Sequence, residues 1–118
     1  MNIQSYINEI NREYIKGNAT EHTFRGTLKI LLETICTDVD ATNEPKKTEG
    51  GNPDYEITKK GTKTPVAYIE AKDIGKNLDD KNFKNQFDRY KKAYDNLIIT
   101  DYLKFQYITL YTKQLYGL

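Results

Sequence analysis

Pro53-Asp54-Tyr55-Glu56-Ile57-Thr58 and, after a short turn, Val66-Ala67-Tyr68-Ile69-Glu70-Ala71-Lys72 are the stretches that decide how this chain folds. Residues 55–58 and 66–72 are rich in β-branched and aromatic side chains, which predicts two strands joined by a turn over 59–65. A hairpin centred near Thr62 sets Asp54 directly opposite Glu70, and opposed Cβ atoms of an antiparallel pair lie roughly 5 Å apart. Side chains alternate along a strand, so Asp54, Glu70 and Lys72 share one face. Tyr55, Ile57, Ala67, Ile69 and Ala71 share the other, which is apolar and suits a core. A slip of one residue would scatter this set, so the pattern itself argues for the register. Gly50-Gly51-Asn52-Pro53 marks a sharp entry into the first strand.

Two carboxylates brought this close repel each other, and burying them unpaired is costly. A hard divalent cation resolves the conflict. Mg²⁺ takes oxygen ligands at about 2.1 Å, commonly from one or two carboxylates, and keeps waters and phosphate oxygens in its other positions. Asp54 and Glu70 are therefore candidate metal ligands, joined by the backbone carbonyl of Ala71. Lys72 follows on the same face and is placed to orient an attacking water and stabilise developing charge. The same three residues would also make a cross-strand charge cluster on a solvated hairpin. Tyr68 and Val66 on that face are a poor match for full solvation. If the cluster is a crowded charged site, replacing Asp54, Glu70 or Lys72 with Ala should leave stability about unchanged or slightly raised.

Outward from the hairpin, Ile3, Tyr6, Ile7, Ile10 and Tyr14 recur at helical spacing, and Gly17 ends that helix. Thr20 is a candidate N-cap for a second helix with the stripe Phe24, Leu28, Leu31, Leu32 and Ile35. Cys36, next along that stripe, is expected as a packed thiol, and residues 36–42 as a short strand. Asp79 or Asp80 can cap a third helix bearing Phe83, Phe87, Tyr90 and Tyr94. Residues 97–100 and 105–111 read as two final strands. The order α-α-β-β-β-α-β-β predicts an α/β class, with an α+β mixed sheet flanked by helices.

A length of 118 residues suits one domain with a modest core, and ten tyrosines place hydroxyls at its edges. One cysteine implies no disulfide, no apolar run approaches a membrane span, and residues 1–20 lack a signal-peptide pattern. A cytoplasmic protein with no membrane partner is the expectation. The net charge of +1 promises only weak duplex binding. Lysines are nonetheless clustered, at Lys46-Lys47, from Lys81 to Lys92, and at Lys59, Lys60 and Lys63 on the hairpin turn, where they can touch backbone phosphates or equally make an ordinary solvated turn. No Gly-rich phosphate loop, CxxC pair or Ser-His-Asp set is present, which leaves nucleotide hydrolysis, structural zinc and acyl transfer without support.

Pro53-Asp54 with Glu70-Ala71-Lys72 resembles the PD-(D/E)xK nuclease motif. Five flanking stretches extend the likeness: Thr20 to Arg25, Gly50 to Ile57, Tyr68 to Gly75, Gln86-Phe87-Asp88-Arg89-Tyr90, and Asn96 to Tyr102. In that order they resemble the amino-terminal endonuclease domain of single-chain type IIG and type ISP restriction-modification enzymes, from about residue 20 to about residue 107. The resemblance implies a restriction-endonuclease-like fold and Mg²⁺-dependent hydrolysis of DNA, with Mn²⁺ able to substitute. It implies a single nuclease domain over 1–118: an amino-terminal helix and linker to residue 19, a nuclease core over 20–112, and a tail over 113–118. Methyltransferase and target-recognition domains, in the same or an associated chain, are the implied partners. Gln86 and Tyr90, four apart on one helix face, match a Gln/Tyr pair that several branches of this superfamily place beside the site. There Gln86 would bond a phosphate or a metal-bound water, with Tyr90 supporting it. Glu21 matches an acidic residue that joins the metal in similar nucleases, although the helix dipole alone would favour it there. Arg25, one turn on, would contact phosphate or pair with Glu21. The competing expectation is a catalytically silent DNA- or protein-binding module that keeps the fold.

Overall fold

The hairpin forms in the predicted register. Tyr55 faces Ile69, Glu56 faces Tyr68 and Ile57 faces Ala67 across strands β2 (Tyr55–Lys59) and β3 (Pro65–Ala71). An irregularity after Ile57 brings Thr58 opposite Pro65, which has no N–H to give to a ladder. The computed structural model describes residues 1–17, 21–46 and 50–109, with only the backbone at Glu21.

Among the described residues, a five-stranded mixed sheet runs around the hairpin in the order β1-β2-β3-β4-β5, with β1 at Val39–Asn43, β4 at Leu97–Thr100 and β5 at Phe105–Ile108. Every pairing is antiparallel except β3 with β4, which run parallel and are joined through helix α3 (Lys84–Ala93). A parallel neighbour needs such a crossover, and its helix must then cover the sheet. Phe87, Tyr90 and Tyr94 do so, packing with Leu97, Ile99 and Ile108 into one buried cluster. The opposite face carries α1 (Ile3–Lys16) and α2 (Glu21–Ile35), whose Tyr6, Ile10, Leu28 and Leu31 bury Tyr55, Ile57, Ile69 and Ala71. Tyr6 Oη donates to the carbonyl of Tyr102 at 2.7 Å, so α1 is tied into this core rather than set apart from it.

Local signals explain the ends of these elements. Asn2 and Ser5 form a reciprocal capping box at the start of α1, and Gly17 closes it with a left-handed φ of 75°. Asp80 caps a 3-10 turn (Lys81–Phe83) that leads into α3. Thr20 lies outside the described residues, as do residues 110 and 111 of the expected last strand.

Two expectations need correction. Residues 36–38 turn rather than extend, so the first strand starts at Val39, and Cys36 is exposed with its thiol donating to Asp38 Oδ1 at 3.1 Å. Ile35 is exposed too, because α2 runs past the edge of the core by its last turn.

The two glycines before β2 answer to packing. A Cβ on Gly50 would lie 2.5 Å from Ala93 Cβ, and one on Gly51 (φ 128°) 2.8 Å from Tyr90 Cε1. The segment entering β2 therefore lies flat against α3, close to the face that carries Glu70.

Candidate active site

Asp54 stands one residue before β2, and the Tyr55–Ile69 pairing continued outward places it opposite Glu70. Its carboxylate is fixed from two sides. The N–H of Ala71 donates to Oδ2 at 2.8 Å, and Arg25 Nη2 donates to Oδ1 at 2.6 Å. Glu70 projects toward α3 and is only 4% exposed. Its Oε2 accepts from Lys72 Nζ at 3.1 Å, while Oε1 is buried with no hydrogen-bond partner among the described residues. Burial, and then the charge of Asp54, push its carboxyl up to about 7, and Lys72 only partly offsets them.

Lys72 leaves β3 with its N–H on the carbonyl of Thr100 at 2.8 Å, which ties it to the parallel strand β4. Its ammonium donates to Gln86 Oε1 at 2.7 Å and sits 4.9 Å from the Phe83 ring centre. Asp54, Glu70, Ala71 and Lys72 line one cavity of about 290 Å³ together with Asp73, Lys76 and Phe83. The structure thus brings together Asp54, Glu70, Lys72, Ala71 and Gln86, with Tyr90 behind them. Gln86 lies between Lys72 and Tyr90. It holds the lysine, and its Nε2 reaches the Tyr90 hydroxyl at a long 3.5 Å. Tyr90 is buried, with its ring against the Gly51 segment and its hydroxyl beside the cluster.

Arg25 packs beside the site, and the side chain of Glu21, one of its expected partners, is outside the described residues. The Arg25 side chain is only 10% exposed and lies between Asp54 and Glu44, with Nη1 2.9 Å from Glu44 Oε1. The helical period explains this, since Arg25 lies one turn before Leu28 on the face of α2 that packs on the sheet. Tyr55 Oη donates to the carbonyl of Arg25 at 2.8 Å, pinning the helix to the strand beside the site. Glu44 is the residue that reading the sequence missed. Its N–H donates to the carbonyl of Asp54 at 2.8 Å, and it holds a left-handed φ of 54°. The only signal for it is the β1–β2 register. Asn43 faces Tyr55, so the next acid falls opposite Asp54, and a strand expected over 36–42 stops one residue short of that pairing.

Glu21 begins α2, and its side chain is outside the described residues. Lys59, Lys60 and Lys63 are exposed at the far end of the hairpin, roughly 17 Å from Asp54 at five strand residues' rise. They are not part of the cluster.

No third His, Cys, Asp or Glu joins Asp54 and Glu70 in a metal-sized group among the described residues. Two carboxylates and a backbone carbonyl fit a hard cation that keeps waters, and the unpartnered Glu70 oxygen is the atom such a cation would satisfy. No described helix is long and apolar enough to cross a membrane.

No family profile matches this chain, and no curated protein does. Among solved structures, the fold is similar to part of a protein in the cryo-EM structure of a DrdV–DNA complex. The TM-score is 0.70 and the identity 20%, over 91% of this chain and 11% of that one. The chain thus spans about a tenth of that neighbour's length, and the likeness is one of fold.

Proposed function

We propose that this chain is a PD-(D/E)xK nuclease domain that hydrolyses DNA phosphodiester bonds with Mg²⁺, for which Mn²⁺ can substitute. The observation that carries the reading is the convergence of Asp54, Glu70 and Lys72 on one cavity, with one Glu70 oxygen buried and lacking a partner among the described residues. A fold neighbour found in complex with DNA supports DNA as the polymer. The resemblance of the motif and its flanks to type IIG and type ISP endonuclease domains points the same way. In such a setting, methyltransferase and target-recognition domains, in the same or an associated chain, would supply sequence choice.

Asp54, Glu70 and the Ala71 carbonyl would hold the cation, with Glu21 a further candidate by resemblance. When bound, it would make a water easier to deprotonate and offset charge on the phosphate. The chain's own residues do the rest. Lys72 has one N–H left after Glu70 and Gln86, and uses it to orient the attacking water and to meet negative charge on the phosphate. Gln86 holds that ammonium from the α3 side. Arg25 and the Ala71 N–H fix the rotamer of Asp54, so its carboxylate needs no rearrangement to act.

The alternative, a silent binding module of the same fold, has one observation in its favour: Arg25 already occupies Asp54 Oδ1. A carboxylate oxygen has a second lone pair, so this contact leaves room for a cation. Conversion of supercoiled plasmid at low salt separates the two. Nicking that needs Mg²⁺ or Mn²⁺, and falls at least about 100-fold in Asp54→Asn, Glu70→Gln and Lys72→Ala, is the expected result. Gln86→Ala should lose less. Wild-type rates in any of the three, or no thermal stabilisation by Mg²⁺ or Mn²⁺, would favour the silent module.

A further inference from the structure

The turn after β3 brings a second cation to the cavity. Lys76 donates its N–H to the carbonyl of Asp73 at 3.1 Å, and Gly75 supplies the left-handed φ of 86° between them. The Gly75 N–H points at Asp101 Oδ2 at 3.3 Å. Asp101 is 3% exposed, and its Oδ1 accepts from the N–H groups of Leu103 at 3.0 Å and Lys104 at 2.7 Å. One buried carboxylate therefore links the turn after β3 to the turn after β4, at the carboxyl ends of the two parallel strands. That link sets the backbone of Lys76 at the cavity rim.

The two lysines of the cavity are committed differently. Lys72 spends two of its three donors inside the protein, on Glu70 and Gln86. Lys76 is exposed, lines the same cavity, and its side chain makes no ion pair or hydrogen bond among the described residues. The cavity also holds Asp54, Glu70 and Asp73, so its carboxylates outnumber its lysines. An incoming phosphodiester adds a further negative charge and needs a cation that is free to move onto it. An ammonium on a flexible stem can track a phosphate as a point charge.

We propose that Lys76 is a substrate-binding residue, gripping a phosphate of the DNA strand at the rim of the cavity while Lys72 stays on the reacting group. The assignment rests on the DNA reading above and deepens it.

Duplex binding measured by fluorescence anisotropy across a salt series, in EDTA and in Ca²⁺, tests the role with an exposed residue whose replacement spares the core. Lys76→Ala should weaken binding about 3- to 10-fold and make the slope of log Kobs against log salt shallower by about 0.9. Lys76→Glu should lose more, and Lys76→Arg, which keeps the charge, should restore both affinity and slope. In plasmid nicking the loss should fall more on KM than on kcat. Binding by Lys76→Ala and Lys76→Glu within about twofold of wild type, with an unchanged slope, overturns the assignment while leaving the nuclease reading intact. Weakened binding by both variants, with no metal-dependent nicking by the wild type, keeps Lys76 as a DNA contact and removes the nuclease reading. Wild-type protein that binds no duplex at the lowest salt removes both.

Discussion

Glu70→Gln should stabilise the metal-free protein, and by an amount that depends on pH. The folded protein raises the Glu70 carboxyl from an ordinary 4.5 to about 7, through burial and the nearby charge of Asp54. Each pH unit of such a displacement is worth about 1.4 kcal/mol, so ionised Glu70 costs the folded state about 3–4 kcal/mol. The folded state holds its proton more tightly than the unfolded chain does. The stabilising contribution is thus complete below about pH 4.5 and lost as pH climbs through about 7. Glutamine keeps the shape of the protonated acid and never ionises. Near pH 5 the variant and the wild type should therefore melt close together. Near pH 8 the variant should be more stable by about 3–4 kcal/mol, or roughly 15 °C in Tm for a domain this size. Thermal melts in EDTA at several pH values read this directly. Parallel curves for the two proteins from about pH 5 to 8 would mean that Glu70 is not held in a dry, negatively charged setting.

Asp54→Ala should behave in the opposite way, losing about 2–3 kcal/mol rather than remaining neutral, because it strips the nearly buried Arg25 of its 2.6 Å partner and orphans the Ala71 N–H. A urea midpoint equal to wild type would show that the Arg25 contact contributes nothing. Gly51→Ala should cost about 2–3 kcal/mol, from a φ of 128° and a Cβ 2.8 Å from Tyr90, and should slow nicking by displacing the segment that leads to Asp54. Unchanged melting in that variant would mean that the segment does not lie flat on α3.

Much of this arrangement can be read from the sequence because it depends on alternation and on a single hairpin. An apolar face of Tyr55, Ile57, Ile69 and Ala71 fixes the pairing of β2 with β3. Once that pairing is set, Asp54 and Glu70 must stand opposite each other. The polarity pattern also carries the third helix, since Phe87, Tyr90 and Tyr94 recur on the side that covers Tyr68 and Leu97. What escaped is the part that depends on a third element. Arg25 meets Asp54 only because α2 packs on the sheet one turn before Leu28, a contact no local pattern encodes. Cys36 read as packed because a helical stripe gives no sign of where the sheet beneath it ends.

Glu44 shows why the escape is systematic. Nothing about an acid in the Asn43-Glu44-Pro45 run marks it as part of a site, and its partner Arg25 lies nineteen residues away. It comes into the arrangement only because β1 pairs with β2 through Asn43 and Tyr55, so that the next residue inherits Asp54 as its neighbour. A left-handed φ of 54° then turns its carboxylate to the far side of Arg25. The guanidinium is thereby shared between two acids, one fixed by the β3 backbone and one 59% exposed. The exposed acid can be lost or swing into water at small cost, whereas giving up Asp54 would cost the nearly buried guanidinium its 2.6 Å partner. The arrangement therefore favours Arg25 as a holder of Asp54 over Arg25 as a bridge to DNA. It also places one half of the hold on Asp54 in the helix α2, outside the hairpin from which the motif can be read, while the Ala71 N–H supplies the other half from within it.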